Sequence, residues 1–212
     1  KESLFTAGNL LISRYGNGST LTGQTTAIYI DEYTTTGTLV QTLSMPTTTT
    51  TINGEQYNKR LTGIGTSTHE GLMTTSRDGR SVSLMGYDLA VGVTPPSPIA
   101  QRVVGVITAD GVINTYTSTS TNIGSTRCVT SIDGSAFWMV GSSGNIRYLT
   151  MGAKGTAAES LGGPSGSRST YLYNNNGRLY VSTTISGTRI ARVGTSATPP
   201  TSGSQTISNF PG

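Results

Sequence analysis

Side chains able to do chemistry are scarce here: one histidine, one cysteine and 10 carboxylates in 212 residues. His69 stands beside Glu70 and near Arg77 and Asp78, so a histidine–carboxylate acid–base pair is the first arrangement to weigh. Neighbours on a strand point to opposite faces, which separates His69 from Glu70 and leaves a surface histidine at a strand start. A zinc site would have to recruit distant carboxylates around one His and one Cys, and no calcium-type Asp-x-Asp-x-Asp loop occurs. Ser-His-Asp catalysis lacks a Gly-x-Ser-x-Gly elbow; Gly163-Pro164-Ser165-Gly166 comes nearest and reads as a loop. No catalytic residue, metal or cofactor is expected.

Two carboxylates about 5–9 Å apart suffice for a glycosidase. Asp78, Asp110 and Asp133 each precede a glycine and are expected to cap turns, which leaves Asp31, Glu32, Glu70 and Asp88. Asp31 and Glu32 are strand neighbours on opposite faces and make a poor pair. Sugar binding asks less, only exposed aromatics beside amides and hydroxyls. Tyr171, Tyr173, Asn174, Asn175 and Asn176 form one such cluster, and Trp138 with Tyr148 another. The run Ala136-Phe137-Trp138-Met139-Val140 reads as a buried strand, which argues for Trp138 packing inside. Asn17-Gly18-Ser19 is an N-glycosylation sequon in a glycine-rich turn. The hydroxyl-rich stretches 47–51 and 195–204 are read as loops of O-glycan-like composition.

Strands must position these residues, because period-two alternation is common and helical spacing is interrupted by Gly, Thr and β-branched residues. Strands are predicted at 9–14, 27–33, 38–43, 71–75, 81–87, 102–107, 112–117, 127–131, 136–140, 146–150, 170–173, 179–183 and 189–193. Asp78-Gly79, Asp110-Gly111, Asp133-Gly134 and Asn176-Gly177 join pairs of them, and such dipeptides predict type I′ hairpins with both central residues at positive φ. Three of these turns sit in a recurring phrase whose glycines, 79, 134 and 177, stand 55 and 43 residues apart. That spacing lies near the ~40–50 residues of a four-stranded propeller blade.

The expected architecture is therefore all-β, a β-propeller of about four blades near 9–45, 70–118, 126–161 and 169–207, with a β-sandwich as the alternative. The opening segment supplies only three strands and nothing after residue 207 is predicted to complete it. An incomplete ring exposes sheet faces and edges and invites association, so a companion chain or the remainder of the same precursor is the expected partner.

Phrases such as Leu10-Leu11-Ile12-Ser13-Arg14-Tyr15-Gly16, Ile30-Asp31-Glu32-Tyr33-Thr34, Ser76-Arg77-Asp78-Gly79-Arg80 and Gly177-Arg178-Leu179-Tyr180-Val181-Ser182 resemble a group of uncharacterised secreted proteins with propeller-like repeats. The resemblance covers most of the chain and implies a fold and an address, with members that are typically longer. Composition agrees: charged residues make up 11%, against about 25% in ordinary soluble domains, and Thr, Ser, Asn and Gly carry the polar surface. The net charge of +4 comes from scattered basic residues without a stripe, so nucleic acid is excluded as a partner. No apolar run reaches the length of a membrane span. Cys128 lies in an alternating stretch and reads as a buried thiol, with pairing to another chain the alternative. The leading expectation is a secreted or cell-surface structural or adhesive module without enzymatic activity. A carbohydrate-binding lectin comes second, and a glycan-active hydrolase or lyase third.

Overall fold

Alternation becomes extended structure throughout: the computed structural model describes residues 5–173 and 177–210, and every regular element in them is a β-strand. β1 (Leu10–Tyr15), β2 (Thr25–Tyr33) and β3 (Leu39–Ser44) are antiparallel with β2 in the middle. A small hairpin, β4 (Thr50–Ile52) with β5 (Glu55–Asn58), leads to β6 (Thr62–Ile64). Next come β7 (Thr74–Thr75), β8 (Ser81–Tyr87), β9 (Arg102–Thr108), β10 (Ile113–Asn114) and β11 (Ser118–Thr119), with the last two both paired to β9. β6 bridges the start of β2 to the end of β8, so these two groups share one hydrogen-bonded network.

A separate sheet holds β12 (Thr126–Ser131), β13 (Ala136–Gly141) and β14 (Gly144–Thr150). β15 (Lys154–Thr156) leaves that sheet to pair in parallel with β11, and β16 (Glu159–Ser160) returns to pair with β14. The last sheet runs in simple order through β17 (Ser167–Leu172), β18 (Leu179–Thr183), β19 (Ile190–Val193) and β20 (Ile207–Asn209).

The turns correct the sequence reading in one respect. Gly79, Gly111 and Gly134 are left-handed, with φ of +74°, +76° and +85°, but the preceding aspartates are not. Gly79 N–H bonds the Ser76 carbonyl at 2.9 Å and Gly111 N–H the Thr108 carbonyl at 2.8 Å. That is a right-handed turn closed by one left-handed glycine, in which the aspartate needs no positive φ. Its carboxylate caps the turn instead: Asp78 Oδ1 accepts the Arg80 N–H at 3.1 Å, and Asp133 Oδ1 accepts the Ser135 N–H at 2.9 Å. The true type I′ pattern belongs to Asn53-Gly54 between β4 and β5, where both residues have positive φ. Thr50 and Thr51, expected in a loop, lie in β4 for the same reason.

Side-chain parity decides how the sheets are layered. Along β13, Phe137 and Met139 join one apolar cluster with Met85, Val104 and Val106 of the preceding group. Trp138 and Val140, pointing the other way, join a second cluster with Leu172, Leu179, Val181 and Ala191 of the following sheet. β9 divides likewise: Val104 and Val106 face the β12–β14 sheet, the third strand group in chain order and called the third sheet, with the β17–β20 sheet the fourth, while Val103 and Ile107 pack with Ile28 and Ile30 of β2. Four strand groups are thus layered in chain order with three separate cores between them. A sandwich of two sheets around one core does not describe this division.

Candidate functional site

The two middle layers bury both faces, so the sheet faces left uncovered are the outer ones of the first and last groups. On the last sheet Tyr171 pairs with Tyr180 and Ser169 with Ser182, and Ile190 lies opposite Ser182, which puts all five on the outer face. Tyr171 is 56% exposed and Ile190 53%. The Tyr180 ring lies 6.5 Å from Tyr173 edge-on and 5.5 Å from Phe210, tilted by 38°. Together with the Ser169–Ser182 hydroxyl pair, 2.7 Å apart, these rings line an open concavity of about 530 Å³. Tyr171 and Tyr173 were expected in a cluster of this kind. Asn174 and Asn175, with Asn176, lie outside the described residues. Tyr180, Ile190 and Phe210 were missed, and the signal that could have found the first two is strand register.

Trp138 lies apart from this face. It is almost wholly buried in the core between the third and fourth sheets, tilted against Tyr148 at 5.3 Å, and its indole N–H donates to the Pro200 carbonyl at 2.6 Å. The interior reading of its strand is the one the structure shows, and a role as an exposed sugar platform is corrected by that burial.

On the first group the outer face carries Leu10, 53% exposed, and Ile12, 48% exposed, with Leu39 beside them. Next to them Arg14 pairs with Asp31, Nε to Oδ2 at 2.5 Å and Nη2 to Oδ1 at 3.1 Å. Its guanidinium also lies 4.6 Å from the Tyr29 ring centre. The hydrogen bond from Arg14 holds the Asp31 carboxyl below the usual carboxylate range, against the opposing effect of burial, and Thr42 adds a second donor.

The other carboxylates singled out as acid–base candidates are each engaged by their own neighbours. Glu32 is fully buried and accepts the Thr6 N–H at 2.7 Å, the Asn9 amide at 2.7 Å and the Gln41 amide at 2.5 Å. Burial raises its pKa, but these three donors outweigh that and the net direction is down. Asp88 receives Arg60 Nε at 2.8 Å and Lys59 Nζ at 3.4 Å. Glu70 turns inward, accepting the Tyr87 O–H at 2.7 Å and the Ile64 N–H at 2.9 Å, and burial pushes its carboxyl up. His69 stays exposed in the loop beside it, its Nδ1 3.3 Å from the Thr68 hydroxyl. His69 and Glu70 therefore part as strand alternation suggested, although the segment is a loop. Among the described residues no three His, Cys, Asp or Glu side chains converge as a metal site.

Cys128 is a buried thiol near the Thr170 carbonyl, and burial pushes its pKa up. Pairing with another chain through this sulfur is inconsistent with that position. Asn17 is exposed in the loop between β1 and β2, its side chain accepting the Ser19 N–H at 3.2 Å.

No family model matches the sequence, and no curated protein matches it. Among solved structures the chain is similar to one in the crystal structure of a mitotic checkpoint complex, with a TM-score of 0.42 and 9% identity. The alignment covers 95% of this chain and 64% of that one, so this chain spans less than two thirds of its length. Nothing about the present chain's activity follows from a likeness at that level.

Proposed function

We propose that this chain is a non-enzymatic extracellular module, an incomplete β-propeller of about four blades that acts through protein–protein association. The observation that carries the reading is the contrast between its layers: the middle groups bury both faces, while the end groups leave Leu10, Ile12, Tyr171 and Ile190 about half exposed. Monomeric proteins rarely expose contiguous apolar patches beyond a few hundred Å², and the face of a sheet that packs in a stack is apolar for the same reason as its other face. The remainder of the same polypeptide or a companion chain covers these faces in this reading. An extracellular or cell-surface setting is supported by the low charge, the hydroxyl-rich surface and the resemblance to secreted repeat proteins.

The test is intact mass and sedimentation of the material purified from its natural source without denaturant. A longer polypeptide, or this chain travelling with a companion, is the expected result. Ile12→Lys combined with Ile190→Lys should release the companion while leaving the thermal midpoint of the isolated chain unchanged, because both side chains are half exposed. A lone 212-residue monomer at every concentration overturns the proposal.

A carbohydrate ligand is the second reading, favoured by the Tyr171, Tyr173, Tyr180 and Phe210 rings beside the Ser169–Ser182 hydroxyls. Sugars stack their apolar faces on such rings and hydrogen-bond at the rim. Glycan-array binding that disappears in Tyr173→Ala supports it, and no binding by the wild type removes it.

A further inference from the structure

The direction of the strands shows which strand the first group lacks. β7 and β12 end at the same side of the molecule, because Arg77 and Asp78 N–H groups bond the Ser131 and Ile132 carbonyls at 3.0 and 2.9 Å. β17 runs with β12: its start is met by Arg127, whose Nη1 donates to the Ser167 carbonyl at 2.6 Å, and Leu172 at its end shares a surface concavity with Thr130. Each of these three strands opens its group. β1 runs the other way. Just ahead of its start the Phe5 N–H bonds the Ala109 carbonyl at 3.3 Å, and Ala109 N–H bonds the carbonyl of Arg80 in the β7–β8 turn at 3.0 Å, whereas Ser13 Oγ reaches the Gly71 carbonyl ahead of β7 at 2.6 Å. β1 therefore has the direction of β8, β13 and β18, the second strand of each other group.

The edge of β1 away from β2 is unpaired by any strand among the described residues. Gly16 N–H bonds the Ala27 carbonyl at 2.9 Å, so by the alternation of an antiparallel ladder Arg14 and Ile12 also face β2. The backbone groups of Leu11, Ser13 and Tyr15 then face the open edge.

We infer that this edge accepts a first strand supplied from outside the described sheets, about six residues long and antiparallel to β1. The occupant is an extended segment of the polypeptide that completes the arc, uncharged, with apolar side chains where it flanks Leu10 and Ile12. A second copy offers no opening strand, because β7, β12 and β17 are already paired, and antiparallel pairing of two β1 edges would show as concentration-dependent protection in the unmodified chain and overturn the inference. Strand addition of this kind draws its affinity from main-chain hydrogen bonds and its selectivity from alternate side chains. The inference rests on the arc reading above and adds to it the place, direction and pairing of one strand.

The probe is a fusion in which the sequence of Ser167–Leu172, with Arg168→Thr so that it carries no charge, is copied ahead of residue 1 through a linker of about four residues; linker and residues 1–9 together allow either direction, so a spin label reads which one forms. Amide exchange is read by NMR in the unmodified chain, in the fusion, and in a control fusion with prolines at two strand positions. Exchange at Leu11, Ser13 and Tyr15 should slow by about 100-fold in the fusion alone. A nitroxide at the first residue of the added strand should broaden Tyr15 and Gly16 rather than Leu10. Protection of the three amides already present in the unmodified chain, or none in the fusion, overturns the inference. If the native assembly forms but leaves these amides fast, the edge inference fails and the association reading stands. If no assembly exists but the fusion pairs, the reverse holds.

Discussion

Replacing Val129 and Val140 by threonine, singly and together, tests the layering from which the functional reading grows. Both side chains are fully buried, yet Val129 belongs to the core shared with the second group and Val140 to the core shared with the fourth sheet. Threonine keeps the branched shape and adds one hydroxyl, whose burial without a good partner costs about 1–3 kcal/mol. With a urea m-value of about 3 kcal/mol/M for a chain of this size, each variant should lower the unfolding midpoint by about 0.3–1 M. The two cores share no side chain, so the double variant should lose the sum, a shift of about 0.7–2 M. Val40, half exposed, serves as the control, and Val40→Thr should stay within about 0.5 kcal/mol of wild type. The assay is equilibrium urea unfolding followed by Trp138 fluorescence and far-UV circular dichroism. If either Val129→Thr or Val140→Thr behaves like the control, one face of the third sheet is wet, and the argument from buried middle layers to uncovered end faces fails.

Glu32→Gln should cost at least about 1 kcal/mol near neutral pH, because a neutral amide accepts the three donors less strongly. Since the folded protein holds Glu32 below its ordinary value, this stabilisation is present above the unfolded carboxylate pKa of about 4.3 and is lost as pH falls through the folded pKa. Unfolding midpoints of variant and wild type should therefore converge in acid, and a gap that persists there refutes the assignment. Glu70 has the opposite sign: burial raises it, so its contribution is complete below the unfolded pKa and is lost as pH rises through the folded one. Glu70→Gln should flatten that part of the stability profile, and an unchanged slope counts against the buried placement. Cys128, buried and with its thiol pushed up, should resist an aromatic disulfide reagent in the native state and release one equivalent in denaturant. Fast native labelling would place that strand at the surface.

Local chemistry was legible along the chain. Alternation marked β8, β13 and β18 almost to the residue, since a strand with neighbours on both sides has one periodicity whatever packs on it. The aspartate-glycine turns were visible too, but their conformation was not. The glycine alone takes the left-handed geometry there, and the aspartates bond Arg80 and Ser135 instead. Short strands such as β6, β15 and β16 left no signal, because two or three residues carry no period and their pairing comes from distant partners.

By itself the sequence determined that this is an all-β chain of recurring hairpins, poor in catalytic groups, with an aromatic cluster around Tyr171 and Tyr173. Tertiary structure alone decided that Phe210 reaches that cluster beside Tyr180, and that Glu32 is held by residues 9 and 23 to 26 positions away. The physical reason is that alternation tells which residues share a face, whereas the solvent or sheet that meets the face is chosen by long-range stacking. β13 in the middle is buried on both faces, whereas β18 at the end buries Leu179, Val181 and Thr183 and leaves Tyr180 and Ser182 only half-buried.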